Sequence, residues 1–273
     1  MSGELSTHSM MRELARSPSA HSFTRGSSDG SPAPVPIRSR FRRALEAGEG
    51  RTYEQVWEHY AAERSLAERL RNSELSDRVT LYRKVYNELF NRVPHHPQLT
   101  RKATEDELRV ELERQRSFLD RHVKPDDRLL EIGAGDCSLS RQMARLYKHV
   151  IAVDVSECIS ASAQWPNNCE FRQTDGTRLP VESASVDVVY SNQLMEHLNL
   201  DDAVAQLREI ARVLKASGCY VCVTPNRAAG PWDVSVYFDE AARGLHLREY
   251  SVDELKGHLM DNRHSELGRP CCP

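Results

Sequence analysis

The chain has 273 residues and a mass of 31.1 kDa, enough for one large domain or two small ones, and its 39% hydrophobic content supports a buried core although a mean hydropathy of -0.60 keeps much of it in water. A net charge of -3 supplies no positive field for nucleic acid. No apolar run approaches the roughly 20 residues that cross a bilayer, and the N-terminus lacks the apolar stretch of a secretory signal, so a cytoplasmic protein with no membrane span is expected. The seven cysteines are odd in number and irregularly spaced, as suits reduced thiols. Cys219 and Cys222 form a C-x-x-C in an alternating apolar run that points them to opposite faces, against a zinc knuckle.

Residues 1–51 carry nine serines before position 32, prolines at 18, 32, 34 and 36, and eight arginines against five acidic residues. Such a composition cannot bury enough apolar surface to offset its ordering entropy, so a disordered tail is expected. Glu4 and Glu13 break the acid-poor pattern of a mitochondrial transit peptide. Residues 52–122 have helical periodicity and are expected to form a helical N-terminal lid. Ser76 or Asp77 caps a helix with Val79, Tyr82, Val85, Tyr86 and Leu89 on its apolar face; Thr104 and Glu107 form a capping box ahead of Leu108, Leu112 and Leu119. Pro94-His95-His96-Pro97 breaks the pattern between them; the histidine pair reads as a solvated loop, with substrate contact as the sharper alternative.

From 123 to 262 the pattern becomes short strands alternating with amphipathic helices. The strands are Arg128 to Ile132, Val150 to Val153, Cys169 to Gln173, Val186 to Tyr190 and Cys219 to Val223, with the best helix over about Asp202 to Leu214. This order predicts an α/β fold, a Rossmann-like, doubly wound and mostly parallel sheet that binds ligands at the carboxyl ends of its strands. Ser251 to Leu259 reads as one more helix, and 263–273 as an irregular tail.

The strongest local signal is Leu129-Leu130-Glu131-Ile132-Gly133-Ala134-Gly135-Asp136-Cys137-Ser138, a strand running into a glycine turn and then a helix. A dinucleotide site would place a third glycine at Ser138, and Glu131 would lie unfavourably near a pyrophosphate. An acid there suits a cationic ligand, which places a nicotinamide-dependent oxidoreductase behind other readings. Asp154 ends the second strand, where a carboxylate matches a vicinal diol, and Asp175-Gly176 ends the third, where an acid can accept from an adenine amino group. Glu131 capping the next helix and Asp175 starting a turn are the plain alternatives.

The segments LLEIGAGDCS, VIAVDVS, FRQTDGTRLP, VDVVYSNQLMEHL and LREIARVLKASGCYVCVTPN together resemble the class I S-adenosylmethionine-dependent methyltransferases, of the small-molecule type. The resemblance implies S-adenosylmethionine as cofactor. Glu131, Gly133, Ala134 and Gly135 would line its methionine portion, Asp154 and Val155 its ribose, Asp175 and Gly176 its adenine, and Asn192 and Gln193 the sulfonium side. Cys137 stands where many members have a further glycine.

A sulfonium methyl is already activated, so the protein has to align an acceptor and, for an alcohol, remove a proton. His197 is the first candidate for that role, with Glu196 beside it and His246 further on. Some relatives carry E-x-x-E-H after the fourth strand and bind a metal there; Gln193 replaces the first acid, so no metal is assigned, although Glu196, His197 and His246 remain possible ligands. Arg227 and Trp232 follow the fifth strand as substrate-facing or loop-packing residues. The family sheet has seven strands, and the pair that would flank strand five is not encoded, which predicts an exposed edge, pairing with another chain, and a shortened form. The reading is methyl transfer to a small-molecule acceptor, at oxygen, with no nucleic-acid partner. A catalytically silent binding or interaction protein is the rival.

Overall fold

The computed structural model describes residues 35–38, 50–100, 104–155 and 165–261. The two expected tails therefore lie almost wholly outside the described residues.

Helix α1 (Tyr53–Arg71) starts at a reciprocal cap: the Gln55 N–H donates to Thr52 Oγ1 and the Thr52 N–H donates to Gln55 Oε1. Helix α2 (Leu75–Arg92) begins ahead of both expected caps, with Glu74 at its N-cap making no side-chain bond. Val79 is exposed, so the buried stripe of α2 is Arg78, Tyr82, Val85 and Leu89. A short turn, α3 (Pro97–Thr100), follows the proline break. Helix α4 (Glu105–Leu119) carries the expected capping box at Thr104 and Glu107; of its apolar positions Leu119 is buried while Leu108 is exposed.

Five strands follow, β1 (Arg128–Ile132), β2 (His149–Asp154), β3 (Cys169–Gln173), β4 (Val186–Asn192) and β5 (Leu214–Val223), all parallel in the order β3-β2-β1-β4-β5. Helix α5 (Ser138–Met143) lies between β1 and β2, α6 (Leu200–Val213) runs directly into β5, and α7 (Val252–Asp261) closes the described chain. The strand order runs outward in opposite senses on either side of the β1–β4 boundary, so the crevice at their carboxyl ends is where such a sheet binds ligands.

Strand alternation divides the core. Leu130, Ile132, Ile151, Val153, Val189 and Tyr220 pack on one face with Leu66 and Leu70 of α1, Val85 and Leu89 of α2, and Leu207 and Ile210 of α6. Leu129, Val150, Val188, Tyr190 and Cys219 face the other way, towards Leu119 and Met143. Cys222 packs against the first cluster and Cys219 belongs to the second, as the alternation requires. Helices α1 and α2 are thus built into the sheet's own core.

A buried polar tie joins α2 to α6. Arg78 donates through Nε to Asp202 Oδ2 at 2.7 Å, and the Tyr82 hydroxyl donates to the same oxygen at 2.6 Å. Removing one partner leaves a charge without its counter-ion in the core, so Asp202→Ala is expected to lower unfolding free energy by about 3 kcal/mol or more. A urea titration of the variant checks this; a loss below about 1 kcal/mol would show the pair to be dispensable.

Candidate active site

The glycine turn after β1 is shaped by β2. The N–H groups of Gly133 and Ala134 both donate to Val153 O, at 2.8 and 3.2 Å. Gly133 has φ +74°, which strains any residue with a side chain, and a Cβ there would stand 3.2 Å from Leu194 Cδ1, a tight approach that the leucine would have to relieve. Gly135, at φ +52°, has nothing within 4 Å of a built Cβ, so this turn of backbone borders open space. Its N–H donates to Asp154 Oδ2 at 2.9 Å, which fixes the carboxylate at the end of β2 against the turn. Cys137 is left-handed at φ 57° and serves as N-cap of α5.

Glu131 is buried one residue before the end of β1 and accepts a hydrogen bond from the Ser140 hydroxyl of α5. Burial pushes its carboxyl up to about 7; the Ser140 hydroxyl pulls against that, and the nearby Asp136 and Asp154 carboxylates add to it. A group poised this way would gain from a cationic neighbour. Val155 follows Asp154, and Gly176, at φ +93°, approaches it so closely that a Cβ would stand 3.3 Å from Val155 Cγ1. Residues 156–164 lie outside the described residues.

Asp175 is placed differently from its neighbours. Its Oδ1 accepts from the N–H groups of Thr177 and Arg178 at 2.8 and 2.7 Å and from the Thr177 hydroxyl at 3.0 Å. Burial works against its charge, yet these donors hold its carboxyl below the usual range. The side chain thus has the turn-forming role that the sequence offered as the alternative, and it lines a cavity of about 720 Å³ with Thr174, Arg178 and Arg212. Glu131 and Asp154 are absent from that lining.

At the end of β4, Asn192 Oδ1 is buried without a hydrogen-bond partner, and Gln193 adopts φ 54°, a strained bend for a residue with a side chain. The turn Met195–His197 follows. Glu196 is fully buried; its Oε2 accepts from Thr224 Oγ1 at 2.9 Å and its Oε1 has no partner. Burial raises its carboxyl. His197 Nδ1 lies 3.0 Å from the Leu245 carbonyl and 3.0 Å from the Tyr86 hydroxyl. A carbonyl only accepts, so the Leu245 bond requires the hydrogen on Nδ1, with the Tyr86 hydroxyl oxygen as a second acceptor of it, and Nε2 then keeps its lone pair, 4.0 Å from Glu196 Oε1. Burial, with His246 nearby, lowers the His197 imidazole to about 4, so it is neutral at physiological pH.

His246 Nδ1 donates to Glu249 Oε1 at 2.8 Å, and that oxygen also accepts from the Trp232 N–H at 2.7 Å. Burial opposes charging of His246, but the Glu249 bond together with Asp233 and Glu196 outweighs it and raises the imidazole. Glu196, His197 and His246 present one ligand atom each within 4.8 Å of one another. With both Nδ1 atoms committed to other partners, the second nitrogen of each ring is left for the side of Glu196, whose Oε1 has no hydrogen-bond partner. Such a trio calls for a proton or a cation between its members.

The structure therefore brings the three expected catalytic side chains together. Sequence reading missed Glu249 and Tyr86. The i to i+3 spacing of His246 and Glu249 was a usable signal, whereas Tyr86 arrives from α2 by tertiary packing alone. Arg227 is bound to Glu254 at 2.9 Å and the Trp232 indole donates to Asn226 O, so both pack their loop down. The histidine pair is not solvated: His96 is buried, and His95 Nε2 donates to Gln55 O at 2.7 Å, because the proline break turns into α1.

Residues 130–222 match the model of the methyltransferase-domain family. Over this stretch the chain is similar to S-adenosylmethionine-dependent methyltransferases. A Mycobacterium tuberculosis protein named as a probable S-adenosylmethionine-dependent methyltransferase is 37% identical over 135 residues, 49% of this chain and 47% of the relative. The chain thus spans about half the length of that relative. An eEF1A lysine and N-terminal methyltransferase of Danio rerio is 31% identical over 39% of this chain and 17% of its own length. Among solved structures, the Haemonchus contortus phosphoethanolamine N-methyltransferase 1, complexed with phosphoethanolamine and S-adenosylhomocysteine, has a TM-score of 0.48 at 17% identity, covering 67% of this chain and 40% of that one.

Proposed function

We propose that the chain binds S-adenosylmethionine at the carboxyl ends of β1 to β4 and transfers its methyl group to an oxygen of a small-molecule acceptor. The observation that carries this reading is the gathering of His246, which is paired with Glu249, with Glu196 and His197, which lie just past β4 and close in the chain to Leu194, whose side chain leaves little room at Gly133. The residues suit such a cofactor: Gly135 borders open space, Asp154 is anchored to it, Glu131 favours a cation, and Asn192 Oδ1 lacks a donor. The relatives' printed names support the same cofactor. When bound, the cofactor supplies a methyl already activated on sulfur, and sulfur keeps the electron pair of the broken bond.

The protein's part is alignment and proton removal. Glu249 orients His246 and sustains its basicity, leaving Nε2 to take the proton from an acceptor hydroxyl as its oxygen attacks. His197, lowered by burial, is the poorer base and lines the site as a neutral acceptor. This ordering reverses the sequence preference for His197. Residues 52–122 are proposed to shape access to the site, from their packing beside it.

A second reading has its own support: the three inward-facing acceptor atoms of Glu196, His197 and His246 match a divalent-ion donor set, with Glu249 and Leu245 O as outer partners. An ion there would polarise the acceptor hydroxyl. The lysine and N-terminal methyltransferase relative raises protein nitrogen as the alternative acceptor class.

Incubation of the chain with radiolabelled S-adenosylmethionine and fractionated extract, with and without chelator, tests these together. Label in low-mass, base-stable products that persists under chelation is expected. Loss under chelation restored by Mg, Mn or Zn supports the ion, label on protein supports the nitrogen alternative, and no label in any fraction counts against methyl transfer.

A further inference from the structure

A second cluster of histidine and carboxylate lies beyond the site, in the N-terminal helices. Glu63 of α1 is buried, with Oε1 2.8 Å from His59 Nε2 and 3.9 Å from His96 Nε2. The ligand atoms of these three residues lie within 4.8 Å of one another, as a metal site would require. Their outer nitrogens contradict a metal. The Arg51 guanidinium, which can only donate, sits 2.8 Å from His59 Nδ1, and the Gln98 N–H donates to His96 Nδ1 at 3.2 Å. Both Nδ1 atoms accept, so both Nε2 atoms carry hydrogens aimed at Glu63. Metal-bound imidazoles show the opposite arrangement, donating outward through the nitrogen that does not bind, as His197 and His246 donate through Nδ1.

The cluster is instead a carboxylate closed by donors, and its remaining oxygen reaches the acceptor site. Glu63 Oε2 accepts from the Leu245 N–H at 3.1 Å, and the Leu245 carbonyl accepts from His197 Nδ1 at 3.0 Å. The Leu245 side chain is buried in the core, so the residue is held at three points. The segment is fitted closely to Glu63: any Cβ at Gly244 would collide with the carboxylates of Glu63 and Asp233.

We propose that Glu63 is a positioning residue of the acceptor site, fixing residue 245 so that its carbonyl selects the Nδ1–H tautomer of His197 and leaves Nε2 bare. Its consequence for catalysis rests on the methyl-transfer reading; its geometry does not. Helix α1 is on this account part of the site's scaffold, and His59 and His96 act by keeping Glu63 in place.

Long-range ¹H–¹⁵N spectra of the imidazoles in the full chain report which ring nitrogen is protonated. Wild type is expected to show His197 as a single Nδ1–H tautomer at neutral pH, and Glu63→Gln to lose it in favour of averaged Nδ1 and Nε2 signals. S-adenosylhomocysteine affinity, measured on the same samples, is expected to stay within about twofold, because Glu63 touches neither the glycine turn nor Asp154. Where methyl transfer is measurable, kcat should fall about tenfold with the KM for the methyl donor unchanged. Unaltered His197 signals in Glu63→Gln would overturn the proposal. If that variant does not fold, His96→Leu, which removes one donor to Glu63, is read by the same criterion. Failure of wild type to bind S-adenosylhomocysteine would overturn the methyl-transfer reading, with the tautomer result still deciding the role of Glu63.

Discussion

Replacing His246 by alanine is expected to lower kcat by about a hundredfold or more, with little change in the affinity for the methyl donor. The imidazole is held at Nδ1 by Glu249, itself anchored by the Trp232 backbone N–H, so on the proposed reading Nε2 meets the acceptor without a rotamer search. Glu249→Gln should retain the packing yet lose part of the effect, about tenfold, because an amide can still orient the ring but cannot stabilise its charged form. His197→Ala is expected to cost less than His246→Ala. The opposite order would return the proton-accepting role to His197, and equal, near-total losses in all three variants restored by added metal would favour the ion-binding reading.

The second large effect concerns the cofactor edge. Asp154→Ala is expected to weaken S-adenosylhomocysteine binding by more than about tenfold, since it removes the anchor of the Gly135 N–H and, on the proposed reading, the acceptor for the ribose diol. Glu131 adds a pH dependence with a definite sign. Its carboxyl is raised to about 7 by burial, opposed by the Ser140 hydroxyl and reinforced by Asp136 and Asp154, while in the unfolded chain it titrates near 4.5. Between those values the folded chain holds a proton that the unfolded chain has lost, so the unliganded fold weakens as pH rises towards and through about 7. Over the same range the ionised carboxylate appears, and affinity for the cationic methyl donor should rise. Glu131→Gln should flatten both trends, which thermal melts and titrations from pH 6 to 8.5 would read. A donor affinity independent of pH in wild type would remove Glu131 from the binding argument.

Much of the fold was legible because the strands, β3 with its Glu170 and Arg172 apart, are apolar runs bounded by polar or glycine punctuation. Four of the five expected strands have boundaries within two residues of those observed, while β5 begins earlier, at Leu214, where α6 passes into it without a loop. A periodicity that stops at Leu214 gives no cue that the chain has already become extended. The helix faces were less legible: Val79 and Leu108 fit an apolar stripe but lie exposed, because the local period says which residues align and not how wide a stripe the sheet covers.

At the site, the glycine turn and its acids could be read because backbone conformation and charge are local properties. Asp175 was ambiguous for the same reason: an aspartate two residues before a threonine serves a turn or a ligand with the same side chain. The tautomers of His197, His246, His59 and His96 could not be read at all. They depend on what meets each Nδ1: Leu245 O reaches His197 by tertiary packing, while Glu249, Arg51 and Gln98 are near in the chain but meet the ring only through the local backbone path. Two clusters of nearly the same composition are thereby opposite in character, one presenting lone pairs and the other hydrogens.

The account stands or falls on whether the edge formed by Gly133, Gly135, Asp154 and Glu131 holds a sulfonium nucleoside. Calorimetric titration of S-adenosylhomocysteine into wild type and Asp154→Ala at pH 8 measures this directly. One saturable site in wild type, weakened more than about tenfold in the variant with its melt unchanged, is the expected result. No binding heat in a folded wild-type sample, or equal binding in both proteins, would contradict it.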